Sequence, residues 1–113
     1  MHEYSIAASL LRMVEGRARA AGAGRVVNVR VRVGAGAGVE LDLLRTAWEF
    51  VRATRLCRDA DLVVEAVPAR WVCALCGGPI EAGAALRCLR CDVAARLAAG
   101  DELVLDRIEI ERG

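Results

Sequence analysis

Apolar positions change their period several times along the chain, and each change marks an element. From Tyr4 to Ala21, Ile6, Leu10, Met13 and Val14 recur at helical spacing, with Arg12, Glu15, Arg17 and Arg19 mostly on the other side, which predicts an amphipathic helix. Gly22 and Gly24 end it. From Val26 to Val33 the period becomes two: Val27, Val29, Val31 and Val33 alternate with Asn28, Arg30 and Arg32, the pattern of a strand with one buried face. A glycine-rich turn, Gly34 to Gly38, leads to a second helical pattern over Leu41 to Ala53. There Leu44, Trp48 and Val51 form a stripe flanked by Ala47 and Phe50. Asp61 to Val67 reads as a strand stopped by Pro68. From Trp71 to Asp92 the periodicity disappears and cysteines cluster; Val93 to Ala99 reads as a short helical turn and Leu103 to Glu111 as a last strand.

This order predicts an α+β fold in which two helices pack on a small three-stranded sheet, with an inserted four-cysteine, zinc-ribbon-like module. The expected organisation is residues 1–69 as the first unit with both helices and two strands, 70–100 as the cysteine module, and 101–113 as the strand returning to the first unit. Trp48 and Phe50 are expected in or near the core, Trp71 at the junction of sheet and module, and Cys57 as a small buried hydrophobe.

Cys73 and Cys76 form one CxxC pair and Cys88 and Cys91 a second, with eleven residues between them. Each pair wraps one side of a tetrahedral ion, and the loop is long enough to fold back, which suits a closed zinc site of four thiolates. A redox dithiol, a rubredoxin-like iron site and two disulfides are the competing readings. Gly77, Gly78 and Pro79 set a turn in which amides point at sulfur, and Arg70, Arg87 and Arg90 lie near enough in sequence to offset thiolate charge.

The chain opens Met1-His2-Glu3, and His2 is its single histidine. A terminal amine, amide nitrogens and an imidazole a few bonds apart close chelate rings, and with deprotonated amides they supply planar nitrogen donors suited to Ni²⁺ or Cu²⁺. The bland alternative is a solvated histidine at a terminus.

Several segments together resemble the HypA/HybF family of hydrogenase nickel-incorporation proteins. They are Met1-His2-Glu3-Tyr4-Ser5, the strand and turn from Val29 to Gly38-Val39-Glu40, Glu65-Ala66-Val67-Pro68-Ala69, and the paired CxxC motifs, in order over nearly the whole chain. The resemblance implies nickel on the Met1 amine, the His2 ring and backbone nitrogens including that of Glu3, with Glu40 near the same end. It implies zinc on Cys73, Cys76, Cys88 and Cys91. It further implies a nickel metallochaperone that hands Ni²⁺ to the hydrogenase large subunit with a partner GTPase, HypB, and in some organisms also serves urease maturation proteins. Two places depart from the family pattern: Ala37 precedes Gly38 where relatives usually carry serine, and Asp92 follows Cys91 where they carry glycine or serine.

Composition narrows the alternatives. All 16 basic residues are arginine, against 15 acidic ones, and no lysine exists to serve a phosphate-binding loop or a Schiff base. With a net charge of +1 and no block of like charge, a nucleic-acid or membrane-surface partner is not expected. Gly34, Gly36 and Gly38 fail the dinucleotide-binding register, because Val39 stands where GxGxxG needs glycine. No apolar run reaches the roughly 18 residues of a membrane span, and no leader-like segment is recognised, so a cytoplasmic, non-enzymatic protein is expected. The arginines of the first strand read as a solvated face or as a docking surface for an acidic partner. The alternative function is a zinc-ribbon interaction module for nucleic acid or a protein assembly.

Overall fold

Alanine and leucine favour a helix from the start of the chain, and the computed structural model, which describes residues 2–80 and 85–112, places helix α1 at His2–Ala20. Gly22, at φ +71°, turns the backbone out of it in the left-handed region. Strand β1 (Ala23–Gly34) follows, then a single 3₁₀ turn (Ala35–Ala37), helix α2 (Leu41–Val51) and strand β2 (Asp61–Val67). Strands β3 (Arg70–Cys73) and β4 (Ala95–Ala99) form a separate hairpin, and β5 (Leu103–Arg112) ends the described chain.

β1 is the central strand of the main sheet, parallel to β2 on one side and antiparallel to β5 on the other. Its inward residues are Val26, Val29, Val31 and Val33, all at most 2% exposed. The expected alternation placed Val27 inside; an irregularity between Val26 and Asn28 shifts the register by one and buries Val26 instead. Ala7, Leu10, Val14 and Ala18 of α1 and Leu44, Ala47 and Trp48 of α2 cover this face, with Cys57, Ala60 and Leu105 completing the core. Trp48 donates its indole N–H to the Ala60 carbonyl at 2.9 Å, so its one polar atom is satisfied inside.

Phe50, expected in or near the core, is instead 70% exposed. Two residues past Trp48 on a helix, it lies about 200° round the axis from that buried ring and faces outward. On the opposite side of the sheet Arg30 and Arg32 pair with Glu65 and Asp106 across three strands, at 3.1 to 4.0 Å, so the arginine row is a solvated, ion-paired face. Val93 to Ala99 is not a helical turn: residues 95–99 are extended and pair with β3 in the register Cys73↔Ala95 to Arg70↔Ala99. Pairing across the hairpin overrides the helical preference of an alanine-rich segment. Trp71 lies in this hairpin opposite Leu97.

The hairpin departs after Pro68 and returns at Gly100, and backbone contacts join it to the sheet. A Cβ on Gly100 would lie 2.5 Å from the Pro68 carbonyl oxygen, and one on Gly34 would lie 2.0 Å from that of Gly100. Only glycine permits this approach. The Gly34 N–H donates to Glu102 O at 2.8 Å and the Gly36 N–H to Gly100 O at 2.7 Å, which seats the 3₁₀ turn against the base of the hairpin.

Candidate metal centres

The first site assembles on the hairpin. One atom from each of Cys73, Cys76, Cys88 and Cys91 lies within 4.8 Å of the others, and Cys76 Sγ and Cys88 Sγ are 4.0 Å apart. The edge of an ideal tetrahedron of sulfurs around zinc is about 3.8 Å, while a disulfide requires about 2.05 Å. The donor set fits zinc, and all four residues are free thiols.

Backbone turns after each pair hold the sulfurs. Leu75 and Cys76 amides donate to Cys73 Sγ at 3.3 Å, and the Gly78 amide donates to Cys76 Sγ at 3.4 Å. Gly77 takes φ +73° after Cys76, and Asp92 takes φ +51° at the corresponding place after Cys91. The departure at Asp92 therefore keeps the turn. Arg87 steadies it, donating to Asp92 Oδ1 at 3.2 Å and Asp92 O at 2.6 Å.

Burial is unequal: Cys73 and Cys88 are buried, Cys91 is intermediate and Cys76 is exposed. Of the three arginines proposed to offset the charge, only Arg90 touches sulfur, its Nη2 lying 3.6 Å from Cys76 Sγ. Arg87 is turned to Asp92, and Arg70 opens β3 three residues before the first cysteine. Without metal the thiols divide. Amides of Cys91 and Arg90 pull Cys88 down to about 6, and those of Cys76 and Leu75 lower Cys73. Hydrogen bonding from Cys76, then burial, pushes Cys91 up to about 12. Four thiols this close do not all ionise unaided; a dication is what lets them do so.

The second candidate site is the amino-terminal end. Met1 lies outside the described residues. The His2 side chain is 67% exposed, with Nδ1 4.0 Å from Glu3 Oε2. The resemblance implicates Glu3 only through its backbone nitrogen, yet the Glu3 carboxylate is buried and accepts the Glu40 N–H at 3.0 Å. That bond, with another from its own amide, lowers the Glu3 carboxyl below its ordinary range. Glu40 is therefore brought to this end by its backbone. Its side chain caps α2, accepting the Asp42 N–H at 3.1 Å. A carboxylate three residues into the chain and another just before the second helix were the visible signals; their contact was not. Among the described residues the four cysteines are the only cluster of three or more potential side-chain ligands.

Fold and donor groups define a small α+β metal-binding protein with a hairpin-borne four-thiolate site. Residues 1–110 match the family described as hydrogenase/urease nickel incorporation, metallochaperone, hypA. The chain is 34% identical over 114 residues to the hydrogenase maturation factor HypA of Shewanella halifaxensis, covering 99% of both chains. It is 38% identical over 112 residues to that of Nitrosospira multiformis, covering 97% of each. The solution structure of the Ni metallochaperone HypA from Helicobacter pylori shares the fold, with a TM-score of 0.76, 24% identity and 98% of both chains covered. A second solution structure of a HypA protein superimposes with a TM-score of 0.75 at 26% identity, covering 97% of this chain and 96% of that one. The chain belongs to the HypA family. None of these matches is a nucleic-acid-binding zinc ribbon.

Proposed function

We propose that this chain is a nickel metallochaperone for [NiFe]-hydrogenase maturation, extending to urease, and a carrier rather than an enzyme. Ni²⁺ is its cargo, held by the Met1 amine, the His2 imidazole and backbone nitrogens including that of Glu3. Cys73, Cys76, Cys88 and Cys91 hold a structural zinc. It works in the cytoplasm, with the GTPase HypB and the hydrogenase large subunit as partners and with neither nucleic acid nor membrane. No described helix is long and apolar enough to cross a bilayer.

The observation that carries this reading is where α1 begins. His2 and Glu3 both lie in the first turn of α1, where amides have no intrahelical carbonyl to bond, so the His2 amide and, once it leaves its own carboxylate, the Glu3 amide can give up a proton to a metal. The His2 ring beside them is exposed, within reach of a metal in solvent. Nickel on the Glu3 amide removes the proton that this amide shares with its own carboxylate, leaving the Glu40 N–H as the carboxylate's backbone donor. The carboxylates of Glu3 and Glu40 place negative charge against the positive ends of two helices, where a cation would otherwise be repelled.

The test is a calorimetric titration of Ni²⁺ into zinc-loaded protein with its authentic amino terminus. One equivalent is expected, weakened at least ~10-fold by His2→Ala and by one residue added before Met1. Equal affinity in all three proteins would place nickel elsewhere.

A further inference from the structure

The four thiolates are not equally protected, and the exposed one has a cover. Cys76 projects to solvent from the first knuckle, while Arg90 comes from the second and crosses to it, Nη2 at 3.6 Å from Sγ. The crossing depends on Gly78: a Cβ there would stand 2.6 Å from Arg90 Nη2 and 3.4 Å from Cys76 Sγ. Cys76 is also the less supported sulfur of its pair, with the single Gly78 amide at 3.4 Å against the two amides that hold Cys73.

From this we propose that Cys76 is a peroxide-reactive modification site and that Arg90, seated in the slot left by Gly78, is the guard that limits its reactivity. The inference rests on the four-cysteine zinc assignment. A zinc ion bound by the four cysteines would keep this sulfur as thiolate, so the guanidinium would not raise the thiolate fraction. It withdraws electron density and obstructs approach, both of which slow attack.

The reaction balances with a hydroperoxide as oxidant. The Cys76 thiolate attacks the peroxide oxygen, a sulfur–oxygen bond forms as the oxygen–oxygen bond breaks, and alkoxide or hydroxide leaves. Sulfur is oxidised by two electrons and the peroxide reduced by two. Cys88, whose Sγ is 4.0 Å away, then attacks the sulfenic sulfur and expels hydroxide, forming a disulfide. Two of the four donors are lost and zinc is released.

The experiment treats zinc-loaded full-length protein, first shown to hold one zinc per chain, with hydrogen peroxide. It follows zinc release with a chromogenic chelator and maps dimedone-trapped sulfenic acid and disulfides by mass spectrometry. Cys76 is expected to carry the first adduct and to end linked to Cys88. Arg90→Gln and Gly78→Ala, each checked for one zinc and an unchanged fold, should release zinc roughly 3- to 10-fold faster, and Arg90→Lys should remain close to the parent. A first adduct on Cys73, Cys88 or Cys91, or release rates unchanged in both Arg90→Gln and Gly78→Ala, would overturn the proposal. A protein without zinc at the outset would instead overturn the metal assignment beneath it.

Discussion

The carboxylate of Glu3 accepts the backbone N–H of Glu40 at 3.0 Å, so the first turns of the two helices are tied at the end that carries the amino terminus. Glu3 is 9% exposed, and the bond joins residues 37 apart in sequence. A local feature of the first turn is thereby fixed by the rest of the fold.

Glu3→Ala leaves the Glu40 amide without this acceptor and is expected to lower Tm by about 5 °C, with Glu3→Gln closer to the parent because its amide oxygen still accepts. Differential scanning calorimetry of the three proteins decides this. A larger loss in the glutamine variant would show that charge, not the hydrogen bond, holds the junction.

The same bond sets a pH dependence. Glu3 has a carboxyl pKa lowered in the fold from its ordinary 4.5, so its stabilisation is complete above the ordinary value and is lost as pH falls through the depressed one. The Tm difference between the parent and Glu3→Gln should therefore hold constant from neutrality down to about pH 5 and shrink in stronger acid. A difference that closes already near neutrality would point to another group.

Loading zinc into the metal-free chain should release protons in a pH-dependent number. At neutrality Cys88, at about 6, is already largely ionised, whereas Cys91, at about 12, must give up its proton to the metal. Calorimetry in buffers of different ionisation enthalpy should find fewer than four protons released at pH 7, more below pH 6, and a falling affinity in that acid range. Replacing Cys73 by alanine should abolish stoichiometric zinc.

Two glycines should respond very differently to the same substitution. Gly34→Ala drives a Cβ to within 2.0 Å of a backbone oxygen of Gly100 and is expected to cost on the order of 3 kcal/mol. Gly38→Ala meets nothing within 4 Å and carries only the left-handed φ of +71°, for about 1 kcal/mol. Urea denaturation measures both, and hydrogen exchange at residues 100–102 should rise only in the first.

Most of the element order was legible because it rests on period. The strand at Asp61–Val67 emerges with the expected bounds, and Leu44 and Trp48 are buried as their stripe requires. What escaped depends on contacts between distant residues. Nothing local distinguishes an alanine-rich β4 from a helical turn until Arg70–Cys73 pairs with it. Phe50 looked internal because an aromatic beside Trp48 suggests a core, although two helical steps carry it to the other side. At the metal centres spacing was enough to gather the cysteines. The Glu3 tether, the Arg90 cover and the Arg87 brace at Asp92 are side-chain reaches between segments, which spacing does not encode.

Pro68 and Gly100 meet at the foot of the hairpin, so the excursion between them ends where it starts. β5 follows that excursion, yet it must align with a β1 some eighty positions earlier. A wandering intervening stretch would carry a larger entropic penalty for that union than one already folded back on itself. Clasping the excursion with a metal ion shortens the effective journey, so assembly of the sheet is expected to quicken when zinc is supplied during refolding.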